Sequence, residues 1–228
     1  MAVRLSQVIP WGRSFDEYRR MFDLSETDLR RRVLGCGDGP ASFNAEATER
    51  GLHVISCDPI YSLHANQIKT RINECFDDII AQVRKDPTGF VWKDFQNPEH
   101  LGRCRMQAMQ YFLRDFETPE NGGRYVAAAL PKLPFAEQSF DLAVVSHLLF
   151  LYSDHLDLEF HWTSLRELLR VAREVRVFPL LTLAQGRSPH IEPLLDRCGT
   201  GSWRAEIREV PYEFQRGGNE MLIVRWCD

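Results

Sequence analysis

Short apolar runs alternate along the chain with longer stretches in which apolar residues recur every three or four positions. The runs have the length of strands and the stretches between them have the period of amphipathic helices. Strands are predicted around Val33 and Leu34 and over 53–57, 122–129, 142–146 and 175–181. Near the C-terminus, 205–214 and 221–226 alternate on either side of the loop 215–220, which is typical of a β-hairpin. The pattern predicts an α/β layer sandwich.

A long helical stretch separates the second and third predicted strands. It runs over about 65 residues, more than a crossover normally takes. Residues 62–84 and 94–116 have helical periodicity, and 86–89 reads Asp-Pro-Thr-Gly, a helix breaker. We interpret the stretch as two or three inserted helices that form part of a substrate pocket, with a dimerisation surface or added bulk as the alternatives. Before the first strand, capping boxes at Ser14 with Glu17 and at Ser25 with Asp28 predict two short helices.

Composition narrows the class of protein and of partner. With 228 residues, 44% of them hydrophobic, the chain is long enough for one domain with a sizeable core. The 28 basic and 32 acidic residues give a net charge of −4, so we expect a small-molecule partner rather than nucleic acid or membrane. Six cysteines without a C-x-x-C pair, and an N-terminus without an apolar signal core, favour a cytoplasmic protein. We expect either a monomer or a homodimer.

The most informative local motif is the glycine turn after the first strand. Gly35, Gly37 and Gly39 alternate there and Pro40 follows, which suits a strand, a tight turn and a helix start. Glycines let a ligand lie against bare backbone, and a helix N-terminus attracts an anionic group. Proline at the place of the third dinucleotide glycine disfavours NAD or FAD, and no Gly-Lys-Ser/Thr follows for a phosphate loop. A glycine turn without any ligand is the alternative.

The second predicted strand ends in an acid, Asp58, about twenty residues after the turn. In βαβ units that bind a ribose, a carboxylate at this place accepts hydrogen bonds from the two ribose hydroxyls. The alternative is a turn-forming aspartate before Pro59. We favour the ribose contact.

Three blocks together resemble a known family. They are Val33-Leu34-Gly35-Cys36-Gly37-Asp38-Gly39, then Asp58, then Leu133-Pro134-Phe135 with Ser139-Phe140-Asp141-Leu142-Ala143-Val144-Val145-Ser146. Their order and spacing resemble those of the class I (Rossmann-like) S-adenosylmethionine-dependent methyltransferases. The resemblance implies one methyltransferase domain over 1–228. It implies a three-layer α/β sandwich around a mostly parallel seven-stranded sheet, with an antiparallel C-terminal hairpin. Residues 1–31 would then form a helical lid and 60–121 the helical insertion.

The resemblance also implies a cofactor, S-adenosylmethionine, and residues that contact it. These are Gly35, Cys36, Gly37, Asp38, Gly39, Asp58, Pro59, Ile60, Leu130 and Ser146. Candidates for substrate contact are Trp11, Phe15, Tyr18, Tyr61, Tyr152 and Arg216. For the N-terminal aromatic residues the alternative is packing on the core, and for Arg216 a plain hairpin turn.

His147, directly after the fourth strand, is the candidate general base, because imidazole titrates near neutrality. The alternative is a histidine that only bonds backbone at the strand end. Asp154, His155, Asp157, Glu159 and His161 lack a recognisable ligand spacing, so no metal site is expected.

Two positions depart from the family pattern. Val33 stands where relatives carry an acid that helps to fix the methionine amine, and Ala129 or Leu130 stands where an acid contacts adenine. Asp38, Asp16 or Glu17 are candidates to replace the first acid. The leading interpretation is methyl transfer to a small molecule. The alternatives are cyclisation or aminopropyl transfer, which release methylthioadenosine, and a non-catalytic cofactor-binding protein.

Overall fold

The computed structural model describes residues 9–118, 121–199 and 202–227. In this part of the chain seven strands form one sheet in the order β3-β2-β1-β4-β5-β7-β6. The strands are β1 (Val33–Cys36), β2 (Val54–Cys57), β3 (Tyr125–Val126), β4 (Phe140–Ser146), β5 (Ala172–Phe178), β6 (Trp203–Glu209) and β7 (Glu220–Trp226). The first five run parallel, and β7 is antiparallel to both β5 and β6. The predicted mostly parallel sheet with its C-terminal hairpin is confirmed.

The helices alternate with the parallel strands, and two long ones follow β2. They are α1 (Phe15–Met21), α2 (Glu26–Leu29), α3 (Phe43–Glu49), α4 (Ala65–Lys85), α5 (Pro98–Phe116), α6 (Leu158–Val171) and α7 (Ile191–Gly199). Both capping boxes predicted at the N-terminus are present, at the starts of α1 and α2. The insertion after β2 consists of α4 and α5 with a short 3₁₀ turn, Pro87–Gly89, between them. Among the described residues no helix is long and apolar enough to cross a membrane.

Some strand limits differ from the sequence prediction. The third strand is only two residues long, because it lies at the sheet edge, pairs only with Ser56 and Cys57, and follows a turn with positive φ at Gly122 and Gly123. The fifth strand begins at Ala172, three residues before the predicted start, because α6 leads into it without a loop. The sixth strand ends at Glu209, two residues before Pro211, which has no N–H to donate.

Both faces of the sheet are covered, which gives three layers. Along β4, Ala143 and Val145 pack into a core with α6 and α7, while Leu142 and Val144 pack into a second core with α1 and α3. This alternation follows from the period of two along a strand. The long helices α4 and α5 bury their apolar faces against each other and against the segments before α1 and β7, so they extend the fold beyond one end of the sheet.

A buried ion pair connects the inserted helix α5 to α1, which packs on the sheet. Arg105 on α5 is paired with Glu17 on α1, and the Tyr212 hydroxyl donates to the other Glu17 oxygen at 2.8 Å. Burial raises the pKa of Glu17, but the Arg105 charge together with the hydrogen bonds from Arg105 and the Ser14 N–H lowers it further, to about 2. Three distant segments of the chain are thereby fixed relative to one another.

Candidate functional site

A cavity of about 120 Å³ lies beyond the carboxyl ends of β1, β2 and β4. The chain continues from β1 to β2 on one side, whereas β4 lies on the other, so this is the point where the strand order reverses. Ligands of open α/β sheets bind at such a point. One side of the cavity, which we call the turn wall, consists of Gly37, Asp38, Gly39 and Asp58. The other side, the apolar wall, includes Trp11, Ile79, Phe90, Tyr152 and Phe214.

The glycines of the turn wall are required by the local packing. A Cβ at Gly35 would collide with the Asp38 carboxylate, which folds back over it, and a Cβ at Gly37 would lie 2.6 Å from Leu148 Cδ2. Gly37 and Gly39 also have φ of 73° and 53°, the left-handed region that glycine tolerates best. The turn therefore places no side chain between its backbone and the cavity at these two positions.

Asp58 stabilises the turn and still faces the cavity. Its Oδ2 accepts a hydrogen bond from the Gly39 N–H at 2.9 Å, and its Oδ1 accepts from the Ile60 N–H at 2.8 Å. It therefore acts as the N-cap of a 3₁₀ turn, Pro59–Ser62, which agrees with the turn-forming alternative. A carboxylate oxygen has a second acceptor site, so each oxygen can also accept from a ligand. The ribose contact stays a prediction.

Asp38 is the most deeply buried acid of the cavity. Its carboxylate accepts from the Tyr18 hydroxyl at 2.9 Å and from the Ser56 hydroxyl at 2.6 Å. Burial raises the pKa of Asp38 to about 7, although both hydroxyls act in the opposite direction. The acid therefore changes its charge near neutral pH, which suits a group that pairs with a cation when a ligand is present.

The candidate base has a hydroxyl partner at the end of β4. Ser146 Oγ lies 2.9 Å from His147 Nδ1, and both residues line the cavity together with Tyr18, which donates to Asp38. In the tautomer that carries its proton on Nδ1, His147 donates to Ser146 Oγ. Nε2 of His147 is then left with the lone pair that a base needs.

His147 is held in an unusual backbone conformation. Its φ is 53°, and its backbone N–H donates to the Phe178 carbonyl at 2.7 Å. Such conformations cost energy and concentrate at functional sites. Burial, followed by the charges of Arg13 and Arg105, lowers the pKa of His147 well below its usual value. The imidazole is therefore neutral at pH 7, the form that accepts a proton.

Many of the residues predicted to form the site line this one cavity. They are Trp11, Tyr18, Gly37, Asp38, Gly39, Asp58, Ser146, His147 and Tyr152. They come from the N-terminal segment and from the ends of three strands, so the fold brings together positions more than a hundred residues apart in the chain.

The other candidates lie around the cavity without lining it. Phe15 stacks on Phe43, and Tyr61 packs in an aromatic cluster and donates to the Gly39 carbonyl at 2.8 Å. Leu130 lies in the core next to α6, and Arg216 donates to the carbonyls of Thr88 and Phe90. Gly35, Cys36, Pro59 and Ile60 belong to the turn and to the 3₁₀ segment that support the wall. Their contacts with a ligand stay predictions.

Two cavity residues have no sequence signal that we recognised. Arg13 lines the cavity, and its buried Nε has no hydrogen-bond partner. Gln215, next to the predicted Arg216, also lines it, and its Oε1 is buried and unpartnered. Within the described ranges no group of three or more His, Cys, Asp or Glu side chains is placed to hold a metal ion.

Comparison with known proteins gives one relative along the full chain. Uncharacterized protein MJ0045 of Methanocaldococcus jannaschii is 32% identical over 224 residues, 98% of each chain. No family model matches the chain.

Solved structures resemble the chain more weakly. They include the mitomycin 7-O-methyltransferase MmcR (11% identity, TM-score 0.48, 93% of this chain and 54% of that one). Another is the kinase-methyltransferase WbdD (13% identity, TM-score 0.47, 92% and 38%). A third is magnesium protoporphyrin IX methyltransferase from Synechocystis, solved with bound SAM (13% identity, TM-score 0.44, 93% and 90%). The chain spans about half or less of the first two.

The sheet order 3-2-1-4-5-7-6, with β7 antiparallel, is the order that defines the class I methyltransferase fold. The chain belongs to the same protein family as uncharacterized protein MJ0045, and its own sheet has the strand order of the class I, Rossmann-like S-adenosylmethionine-dependent methyltransferase fold.

Proposed function

We propose that the protein is an S-adenosylmethionine-dependent methyltransferase that acts on a small-molecule acceptor. The observation that carries the proposal is the single cavity in which the glycine turn, Asp58 and the end of β4 meet. A typical ligand pocket has a volume of roughly 300–1,000 Å³, so the lining side chains have to move apart when cofactor and acceptor bind. The apolar side chains of the second wall and the small volume of the cavity favour a small acceptor over a macromolecule.

The residues of the cavity fit the cofactor. Gly37 and Gly39 present no side chain, which suits an extended ligand chain lying against the turn, and the spare acceptor sites on Asp58 suit the two ribose hydroxyls. The ammonium group has an acid available although Val33 is apolar. Of the three candidates, Asp16 is exposed and paired with Arg20, and Glu17 is taken by Arg105 and Tyr212. Asp38 alone among these three lines the cavity, so we assign it this contact.

When bound, the cofactor supplies a methyl group on a sulfonium that is already activated for displacement. The chain's own residues then have three tasks. The turn wall holds and orients the cofactor, and the apolar wall excludes water and positions the acceptor. His147, neutral and with its Nε2 lone pair free, removes the proton of an acceptor hydroxyl or amine.

Calorimetric titration with S-adenosylhomocysteine tests the proposal. The wild-type protein should bind one equivalent, and Asp58→Ala should weaken binding at least about tenfold, because hydrogen bonds to a charged acceptor contribute ~1.5–3 kcal/mol each. Asp141→Ala is the matched control, since Asp141 is an acid on the same sheet that pairs with Arg32 and does not line the cavity. Unchanged affinity in Asp58→Ala would mean that the ribose is held elsewhere.

The released product separates the enzymatic alternatives. Methyl transfer releases S-adenosylhomocysteine, whereas cyclisation or aminopropyl transfer releases methylthioadenosine. A wild-type protein that binds neither compound would overturn both enzymatic interpretations and leave a non-catalytic protein that keeps the fold after losing the cofactor contacts.

A further inference from the structure

Arg13 is a cation of the cavity whose hydrogen-bonding capacity is only partly used. Its Nη1 donates to the Trp11 carbonyl at 3.0 Å, while Nε is buried and has no partner. For Nη2 no partner is found among the described residues either. Nε and Nη2 lie on one edge of the guanidinium and point in parallel, which is the edge that binds a carboxylate through two hydrogen bonds.

No acid of the described chain lies within ion-pair distance of Arg13. Glu17 is the acid whose charge acts on it most, but both Glu17 oxygens are occupied, by Arg105 with the Ser14 N–H and by the Tyr212 hydroxyl. Two arginines and one glutamate therefore leave one positive charge in surplus. Burial and the Arg105 charge lower the pKa of Arg13 to about 10, so it stays charged at pH 7.

The surroundings of Arg13 place this charge in the cavity. The Arg13 carbonyl accepts from the Ser42 N–H at 3.0 Å, which fixes the segment over the start of α3. The Arg13 charge acts on Tyr18, His147 and Tyr152, all of which line the cavity. The Arg13 side chain is partly buried and its Nε fully buried, and a charge withdrawn from water without a partner is costly, so a ligand that pairs with it is favoured.

We propose that Arg13 is the carboxylate-binding group of the cavity, with its Nε and Nη2 edge directed at a ligand carboxylate. This inference rests on the proposed function, because S-adenosylmethionine is one of the two ligands that could supply the carboxylate. Two sources share this chemistry: the carboxylate of the cofactor's methionine part, and a carboxylate on the acceptor.

The first experiment compares two compounds by calorimetry. S-adenosylhomocysteine carries the amino-acid carboxylate, and methylthioadenosine lacks it. If the cofactor supplies the carboxylate, Arg13→Gln weakens S-adenosylhomocysteine at least about tenfold and leaves methylthioadenosine within about twofold. Arg13→Lys keeps the charge but loses the paired hydrogen bonds, and should lie between wild type and Arg13→Gln. Arg19→Gln is the control, because Arg19 is exposed on α1, paired with Glu26 and absent from the cavity lining.

The second experiment tests the acceptor. Protein saturated with S-adenosylhomocysteine is titrated with phenylacetate and indole-3-acetate and with their neutral amides, chosen because the apolar wall is rich in aromatic rings. If the acceptor supplies the carboxylate, the acids bind better than the amides, and Arg13→Gln removes the difference. The proposal is overturned if Arg13→Gln changes neither the affinity for S-adenosylhomocysteine nor the preference for acid over amide.

Thermal unfolding gives a third readout that does not depend on activity. In the ligand-free protein Arg13→Gln removes a buried, unpaired charge and should leave the Tm unchanged or raise it. The increase in Tm that a carboxylate ligand causes should shrink in the variant. A lower Tm without ligand, together with an unchanged ligand-induced increase, would assign Arg13 a purely structural role. Failure of the wild type to bind S-adenosylhomocysteine would instead contradict the proposed function. The acid-against-amide titration, repeated on the ligand-free protein, would then decide on Arg13.

Discussion

The two walls of the cavity are built in different ways. The turn wall comes from residues 37–58, within one βαβ unit, and its properties depend on backbone conformation and on two acids. The apolar wall is assembled from the segment before α1, from α4, from the turn after it, from the end of β4 and from the loop before β7. The first wall is local in sequence, and the second exists only after distant segments have packed. We infer that cofactor recognition belongs to the first and acceptor choice to the second.

The largest expected effect concerns how the apolar wall is held together. Arg105→Met would leave Glu17 buried without its partner, so the free energy of unfolding should fall by about 3–5 kcal/mol. Denaturant unfolding measures it. The double variant Arg105→Met with Glu17→Gln, which removes both charges, should recover a large part of the loss. Equal stability of the single and double variants would contradict the account of this ion pair as a fixed connection between α1 and α5.

The second-largest effect is expected on turnover, at His147 at the end of β4. His147→Ala should reduce turnover about a hundredfold or more at saturating substrate while leaving the affinity for S-adenosylhomocysteine nearly unchanged, because the imidazole is assigned to the acceptor proton. Release of S-adenosylhomocysteine with an accepted substrate measures it. His53→Ala, an exposed histidine before β2, is the control. An unaltered rate in His147→Ala would remove it as the base.

The affinity of the turn wall for S-adenosylhomocysteine should depend on pH. With the pKa of Asp38 raised to about 7, its ionised form is lost as pH falls, and pairing with the ligand ammonium weakens. The dissociation constant for S-adenosylhomocysteine should rise about tenfold from pH 8 to pH 6, with little of this dependence left in Asp38→Asn. A pH-independent affinity in the wild type would exclude Asp38 as the ammonium contact.

The same pKa predicts the sign of a stability change. An aspartate carboxyl has an ordinary pKa of 3.8, which applies to Asp38 in the unfolded chain, whereas folding raises it to about 7. Between about pH 4 and pH 7 the folded protein therefore keeps a proton that the unfolded chain releases. The contribution of this group to stability therefore falls as pH rises through that window. Ligand-free Asp38→Asn should consequently be more thermostable than the wild type at pH 8, with a smaller gap at pH 5. A gap that grows toward low pH would contradict the raised pKa.

The smallest effect is expected at the hairpin loop. Arg216 supports the turn after α4 from outside the cavity, so Arg216→Gln should change KM by less than about threefold. Gln215→Ala should change KM more, because the Gln215 side chain faces the cavity with an unpartnered oxygen. The reverse order would return Arg216 to the substrate site, as the sequence alone suggested.

The same contrast explains how far the sequence could predict this molecule. The glycine turn, Asp58 and the approximate positions of the strands follow from local patterns, because steric limits on glycine and the periods of strands and helices act over a few residues. The mostly parallel seven-stranded sheet was predicted only through the family resemblance, because strand pairing depends on residues far apart in the chain. Arg13 could not be identified in that way, because its significance lies in the absence of a paired acid among the residues that the structure describes. For Glu17 the sequence predicted one contact and not the other. The capping box with Ser14 follows from local spacing, whereas the ion pair of Glu17 with Arg105 depends on the packing of α5.

The central claim is that the turn wall holds the cofactor. A crystal structure of the protein with S-adenosylhomocysteine tests it most directly. The account predicts the ribose hydroxyls on the Asp58 carboxylate, the amino group beside Asp38 and the sulfur facing His147 at the end of β4. A cofactor bound away from the Gly37 and Gly39 backbone, or one whose ribose does not contact Asp58, would contradict it.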